Sequence, residues 1–488
     1  MSPTLGRLLG GLLPVAVLGV GLREVLPSLT SGLWGPADPF LNGDFNGGWW
    51  LWWAFAQPRE LSSLLSYPHG VASLAPVIPN PLDMALYAGV FGEPSVGAWN
   101  AVQLGHVVAL LMAAYALALV AGASPLASAS AACLVAASPV LLHEVAGGRP
   151  SSLVAWPGVL SLVFLVRARS WRDGVLAGAF AALQGVAYAW HGLALVVVGL
   201  PLVRNPRVLA VAVGTGAALV APYVGWLLEG LGEVPRDRPA AGYTALPLSA
   251  LWGHDGVPAR FRLHPLIVPV ALLGLRGGGR WLLAAAVGLA ICVGPEPTWA
   301  LGESLGVGPW AWVAWLLPEA ARLHHPVRAT LLVLPLLAVA LALGLDRFRW
   351  RRLTGGLLVL STALTWQAMF EATTFASSAT IPGASLAVEG PAVDLLGMRG
   401  RTALSLQTVH GQVLMEPLWF RRDLDALQRR VTAVAEGAAP DATLAADLAA
   451  AGFRTLVVYD RFGDRADVAV AVEQALGPPE RPGIWRLR

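Results

Sequence analysis

Apolar runs of roughly twenty residues recur along the first three quarters of this chain, each long enough to cross about 30 Å of hydrocarbon. They fall at 8–27, 98–121, 124–142, 151–166, 174–190, 192–203, 208–229, 263–276, 281–296, 327–345 and 354–373. In hydrocarbon every backbone N–H and C=O must find a partner within the protein, which leaves helices and closed barrels. None of the runs has the period-two alternation of a barrel strand, so the expected architecture is an all-α polytopic membrane protein of about eleven spans. Composition agrees, because only 13% of the 488 residues are charged, against about a quarter in a soluble domain. The piece at 82–92 is apolar but short, and reads as a half-inserted helix inside a loop. No A-x-A cleavage site follows the first run, which reads as a retained span rather than a removed signal peptide.

The arginines give the expected orientation. Alternate connections hold Arg7, Arg167 to Arg172, Arg204 to Arg207, Arg276 to Arg280 and Arg347 to Arg352. They are short and basic, as cytoplasmic loops are. The other set is longer and more acidic: 28–97, 143–150, 230–262, 297–326 and the tail from 374. The N-terminus is therefore expected in the cytoplasm and the C-terminus outside it. All the Lys-or-Arg positions are Arg, which reads as compositional bias, and a net charge of +3 gives no argument for nucleic acid. Cys133 and Cys292 lie in apolar runs and read as small core residues rather than a disulfide.

Two domains follow: 1–375 in the membrane, with the long external loop 28–97, and 376–488 as a small extracytoplasmic α/β domain. In the latter, Arg401–Val409 and Arg454–Tyr459 read as strands and Ala442–Ala451 and Ala466–Leu476 as helices, with Gly483–Arg488 as a last strand. No Gly-rich phosphate loop, CxxC or HExxH pattern occurs.

Candidate chemistry gathers in the external connections. Asp38 and Asp44 precede Trp49, Trp50, Trp52 and Trp53 in the first loop. Asp44 there reads as a general base toward an acceptor hydroxyl, as a metal ligand, or as a loop or cap residue. The tryptophans read first as anchors at the membrane interface. His69 stands in Ser66-Tyr67-Pro68-His69-Gly70 either as a substrate contact or as an ordinary loop histidine. His143 and Glu144 end an apolar run, where ionisable groups are functional or paired; Arg149 is the partner within reach of Glu144. Near the last runs, Arg322, His324, His325 and Arg328 bring cationic donors together, as a lipid phosphate requires. Interfacial snorkelling is the competing reading for these arginines. Two adjacent histidines alone give a metal little support.

In their order along the chain these pieces resemble the bacterial GT-C superfamily of membrane glycosyltransferases, the broad group with protein mannosyltransferases and oligosaccharyltransferases. The resemblance rests on Asp44 before Trp49–Trp53, Tyr67-Pro68-His69-Gly70, Gly147-Gly148-Arg149 before Pro157, and Gly294-Pro295. It also rests on His324-His325-Pro326-Val327-Arg328 and the terminal Gly483-Ile484-Trp485-Arg486-Leu487. It implies transfer of a sugar from a polyprenyl-phosphate donor to a glycan, lipid or protein acceptor outside the cytoplasm, in a bacterial inner membrane. Asp44 would then be the general base. Arg328, His325 and Arg149 would hold the donor phosphate, with Asp38, His69, His143, Glu144 and Trp49 around the substrate. His324 stands where such proteins carry the first Arg of an Arg-x-Pro-x-Arg turn. The loop lacks the adjacent acidic pair of several such families, so a divalent metal is not supported and no cofactor is assigned. A flippase for a lipid-linked glycan and a silent scaffold of the same fold are the competing classes. The nearly charge-free span interiors favour a site at the external face over a transport path.

Overall fold

The computed structural model describes residues 3–23, 26–34, 43–58, 81–136, 138–231, 246–249, 275–299, 304–316, 326–347, 388–395, 426–435, 437–458 and 466–487, with positions 355, 356, 359 and 407. The chain divides into two compact units. One holds 1–34, 96–223 and 238–375; the other holds 35–95, 224–237 and 376–488.

Numbered along the chain, the helices are α1 (Pro3–Gly21), α2 (Gly43–Ala56), α3 (Pro81–Phe91), α4 (Val96–Ala121), α5 (Pro125–Ala136), α6 (Pro139–Ala146), α7 (Pro150–Leu153) and α8 (Trp156–Arg167). There follow α9 (Trp171–Ala187), α10 (Ala189–Gly199), α11 (Pro206–Leu231), α12 (Leu275–Cys292), α13 (Pro309–Leu316) and, after a 3-10 turn at Pro326–Ala329, α14 (Thr330–Leu345). The tail adds β1 (Ala392–Asp394), α15 (Ala426–Ala435), α16 (Leu444–Ala450), β2 (Thr455–Val457), α17 (Ala466–Leu476) and β3 (Ile484–Arg486).

The first unit is built around α14. Its sequence is apolar all round, and all but Leu343 of its 16 residues are buried, as expected of a helix with no polar face. It packs against α12, α5 and α4. Lipid tails are as apolar as leucine, so burial alone does not draw these helices together; close fit and polar ties do. Glycines supply the fit. A Cβ on Gly288 of α12 would come 2.5 Å from Val333 of α14. Gly174 and Gly178, one turn apart on α9, press against α11, where a Cβ on Gly178 would lie 2.3 Å from the Ala212 carbonyl oxygen.

Polar side chains tie the helix ends. Asp173 sits in a capping box at the start of α9 and accepts a 2.8 Å bond from Arg167 Nε. Asp346, just past α14, accepts from the Ser124 backbone N–H at 2.5 Å and from the Ser124 hydroxyl, at the start of α5. Asn100 donates to the Leu29 and Gly32 carbonyls and accepts from Trp34 N–H, pinning the chain after α1 to α4.

Among the described residues four helices are long and apolar enough to cross a membrane: Val96–Ala121, Pro150–Arg167, Pro206–Gly225 and Pro326–Leu345. The expected run at 124–142 is instead two helices, α5 and α6, meeting at 48°. Pro139 opens the second of them, and the residue before a proline leaves the α region; Ser138 is extended accordingly. The expected runs 174–190 and 192–203 part earlier than the sequence suggested, at the extended Tyr188. The runs at 263–276 and 354–373 lie almost wholly outside the described residues.

In the second unit the loop after α1 carries helices. The short apolar piece expected at 82–92 is α3, which packs on α2. Trp50 and Trp52 are fully buried and Trp53 nearly so, which corrects their reading as interfacial anchors. Trp50 Nε1 donates to Gln407 at 2.7 Å, and Trp52 Nε1 donates to the Gly92 carbonyl at 2.8 Å. Trp52 also meets Tyr87 of α3, ring centres 5.2 Å apart. A buried indole needs such an acceptor for its N–H.

The tail forms a three-stranded sheet in the order β1-β2-β3, with β1 parallel to β2 and β2 antiparallel to β3. Leu444, Leu448, Phe453, Val472 and Trp485 are among the residues of its core. The expected strand at 454–459, the helix at 466–476 and the last strand are present. Gln407, expected within a strand, is helical, and β1 and α15 were not expected. On the exposed side Arg430 forks Asp441 and also bonds Asp447 and Thr443. These bonds hold the Asp441 carboxyl down to about 2.

Two predictions follow from this packing. Gly178→Ala is expected to destabilise the detergent-solubilised protein by about 1–3 kcal/mol, the usual range for overpacking. Gly214→Ala, with open space around its Cβ, should not lower the melting temperature, since alanine is the better helix former. In the tail, the Asp441 value lies below the ordinary carboxylate near 4. Its contribution is therefore full above that value and lost as pH falls toward 2. The difference in unfolding midpoint between wild type and Arg430→Gln should be measurable at pH 6 and vanish on acidification through that window.

Candidate functional site

Three connections of the first unit meet at the N-terminal end of α14. The α6–α7 connection brings His143, Glu144 and Arg149; the break between α9 and α10 brings Tyr188 and His191; the 3-10 turn brings Arg328. All of Pro326 to Ala329 is buried. Arg328 is therefore a guanidinium inside an apolar bundle, with its side chain 10% exposed. Such a group persists only where partners replace its water.

Those partners are present. Arg328 Nη1 donates to the Tyr188 hydroxyl at 2.8 Å. Its Nε lies 3.7 Å from Glu144 Oε2. The other oxygen of Glu144 accepts from Arg149 Nη1 at 3.4 Å, and the same Nη1 stands 3.2 Å from His143 Nε2. One buried carboxylate thus bridges two guanidiniums, and the three charges sum to one positive. His191, fully buried, stands with Nε2 2.9 Å from the Arg328 carbonyl and Nδ1 3.4 Å from the Val154 carbonyl. A neutral imidazole carries one N–H, so the shorter contact is the hydrogen bond. Tyr188 and His191 meet edge to face at 4.7 Å.

The backbone explains why these residues converge. Ser138 and Pro139 bend the chain so that α6 ends beside α7. Tyr188 is extended between two helices, and a Cβ on Gly192 would come 2.5 Å from Gly185 Cα, so only glycine lets this turn close. Gln184 locks the arrangement, donating to Val154 O at 2.6 Å and accepting from Gly158 N–H at 2.9 Å.

Of the residues singled out in the sequence, Arg328, Arg149, His143 and Glu144 come together. Glu144 does pair with Arg149, and it also faces Arg328. Asp44 is the second residue of α2; its side chain lies outside the described residues, as do Asp38, His69, Arg322, His324 and His325. Trp49 is half-buried on α2. Tyr188 and His191 went unnoticed within an apolar stretch. The signal was there, since an ionisable residue inside an apolar run is a functional candidate by default. Among the described residues no three His, Cys, Asp or Glu side chains converge as metal ligands.

No protein-family model and no curated protein matches the chain. Solved structures do. The mycobacterial arabinofuranosyltransferase AftD superposes with a TM-score of 0.56 at 18% identity, covering 94% of this chain and 35% of AftD. A mutant of AftD gives 0.54 at 17%, covering 94% and 37%. Over its length this chain shares the fold of that part of AftD. This chain spans about a third of AftD's length. The Archaeoglobus fulgidus oligosaccharyltransferase superposes at 0.48 and 11% identity, over 94% of this chain and 70% of its own.

Removing one member of a buried ion group leaves the others uncompensated. Glu144→Ala is expected to cost about 3–5 kcal/mol of stability. Tyr188→Phe, which strips the hydroxyl that accepts from Arg328, should cost about 1.5–3 kcal/mol. Chemical unfolding in detergent separates the two.

Proposed function

We propose that the protein is a glycosyltransferase that moves a sugar from a polyprenyl-phosphate donor to a glycan, lipid or protein acceptor at the extracytoplasmic face of a bacterial inner membrane. Its N-terminus is then cytoplasmic and its C-terminal domain extracytoplasmic. The observation that carries this reading is the bridged pair of guanidiniums at the head of α14, in a chain with the AftD fold.

Donor phosphate oxygens gain negative charge as the sugar leaves. Arginine N–H groups already oriented in a dry site stabilise that charge without reorganisation. Glu144 fits the part of a spacer: it neutralises one guanidinium and keeps two forks aimed at one place. Tyr188 and His191 hold Arg328 in position, one through its side chain and the other through its backbone. Arg149 and His325 supply further donors to the phosphate.

Asp44 is assigned as the general base. As an acceptor hydroxyl oxygen attacks the anomeric carbon, its proton passes to the Asp44 carboxylate. The bond from that carbon to the phosphate oxygen breaks, and the electron pair leaves with the polyprenyl phosphate. Asp38, His69, His143 and Trp49 are assigned to contacts with the sugar or acceptor.

The test uses radiolabelled polyprenyl-phosphate sugars and the purified full-length protein. A general base contributes roughly 10²–10⁴-fold, so Asp44→Asn should lose about that much turnover while melting like wild type. Unchanged turnover would remove Asp44 from the chemistry. Arg328→Lys keeps the charge but loses the fork. It is expected to raise the KM for donor about tenfold or more, with the acceptor KM unchanged.

A further inference from the structure

At the other end of α8 the bundle carries a second polar layer, and it is basic. A cavity of about 640 Å³ opens there, with an apolar wall that includes Leu119, Val120 and Val166 and a rim of Arg167, Arg169 and Arg204. Arg167 is committed to Asp173. Arg169 and Arg204 are exposed, and among the described residues no acid holds either side chain. Arg204 also stands close enough to Arg280 for the two like charges to act on each other. The acids at this end among the described residues are Asp173 and Asp346, the latter held by Ser124 between the lining residues Ala123 and Pro125, so positive charge exceeds negative among the described residues around this opening.

The backbone at the rim is strained. Ala168, between the two arginines, has φ 41° and ψ 37° and closes α8 in the left-handed region. It is the non-glycine with positive φ among the described residues. An L side chain disfavours that region, and such strain concentrates where function holds the chain in place. Close by in sequence, Trp171 is 65% exposed, as an indole at a membrane–water boundary would be.

We propose that this pocket binds the phosphate headgroup of an anionic membrane lipid, with an acyl chain lying along the apolar wall between α4 and α8. Arg169 and Arg204 fork the phosphate oxygens, and Arg167 closes the rim from its anchor on Asp173. The continuous apolar wall argues for a lipid over free phosphate, which would need no such surface. The site lies on α8 away from the Glu144 group and is independent of the reaction proposed there.

The test is native mass spectrometry of the full-length protein released from detergent, with dioleoylphosphatidylglycerol, dioleoylphosphatidylcholine and inorganic phosphate as probes. Wild type is expected to retain phosphatidylglycerol in preference to phosphatidylcholine. Arg169→Gln with Arg204→Gln should lower that retention on the order of tenfold, as loss of two charge-assisted contacts implies. Each single variant, at an exposed position, should show a smaller loss at an unchanged melting temperature. Ala116→Leu, which narrows the wall with every arginine in place, should lower retention too. Arg207→Gln, outside the pocket, should not. No preference in wild type would overturn the site. An equal loss in Arg207→Gln would do the same, by showing general surface charge. Displacement by millimolar phosphate with no effect of Ala116→Leu would mark a free-phosphate site and overturn the lipid assignment.

Discussion

Between helices in hydrocarbon, burying a leucine gains almost nothing, because the lipid it leaves is equally apolar. The first unit therefore depends on contact that lipid cannot match. α14 is apolar on every side and could lie anywhere in a bilayer on composition alone. It is held at the centre because glycines on α12 let neighbouring backbones come within van der Waals reach. The same device joins α9 to α11, where Gly178 meets a carbonyl that any side chain would strike. Polar ties such as Asp346 to Ser124 then fix the helix ends.

Those ties sort into two layers at the two ends of α8 and α14. At one end a carboxylate bridges two guanidiniums among Tyr188, His191 and His143. At the other, arginines outnumber the acids Asp173 and Asp346 among the described residues. The chemistry of the layers differs because their charge balance differs. The first is buried, with one carboxylate set against two guanidiniums. The second is open and cationic, so it suits a standing anion. Both lie at helix ends, where backbone groups lack intrahelical partners, and bends and breaks there let side chains point inward.

The second unit follows the water-soluble rule more closely. Its tail sheet buries Phe453, Leu456 and Trp485 against amphipathic helices, and among the described residues no charged side chain of the tail is buried. Trp50 and Trp52 belong to this logic rather than to the membrane surface. Each finds an acceptor for its indole N–H, which makes them core residues.

Much of the fold class was legible in the sequence, because run length and low charge answer directly to bilayer thickness and to backbone pairing in lipid. Several tail elements, the cationic character of Arg328 and the pairing of Glu144 with Arg149 were legible too, the last because five residues separate them across a helix end. The break at Tyr188 was not, since an extended residue inside an apolar run leaves hydropathy unchanged. Nor were the contacts of Tyr188 and His191 with Arg328, which join residues 137 to 140 positions apart. Hydropathy is a property of each segment alone, and the sequence by itself determined which segments prefer lipid. Only the tertiary structure decided which helix ends meet, because that depends on glycine-sized gaps and proline bends whose effect appears when two segments touch.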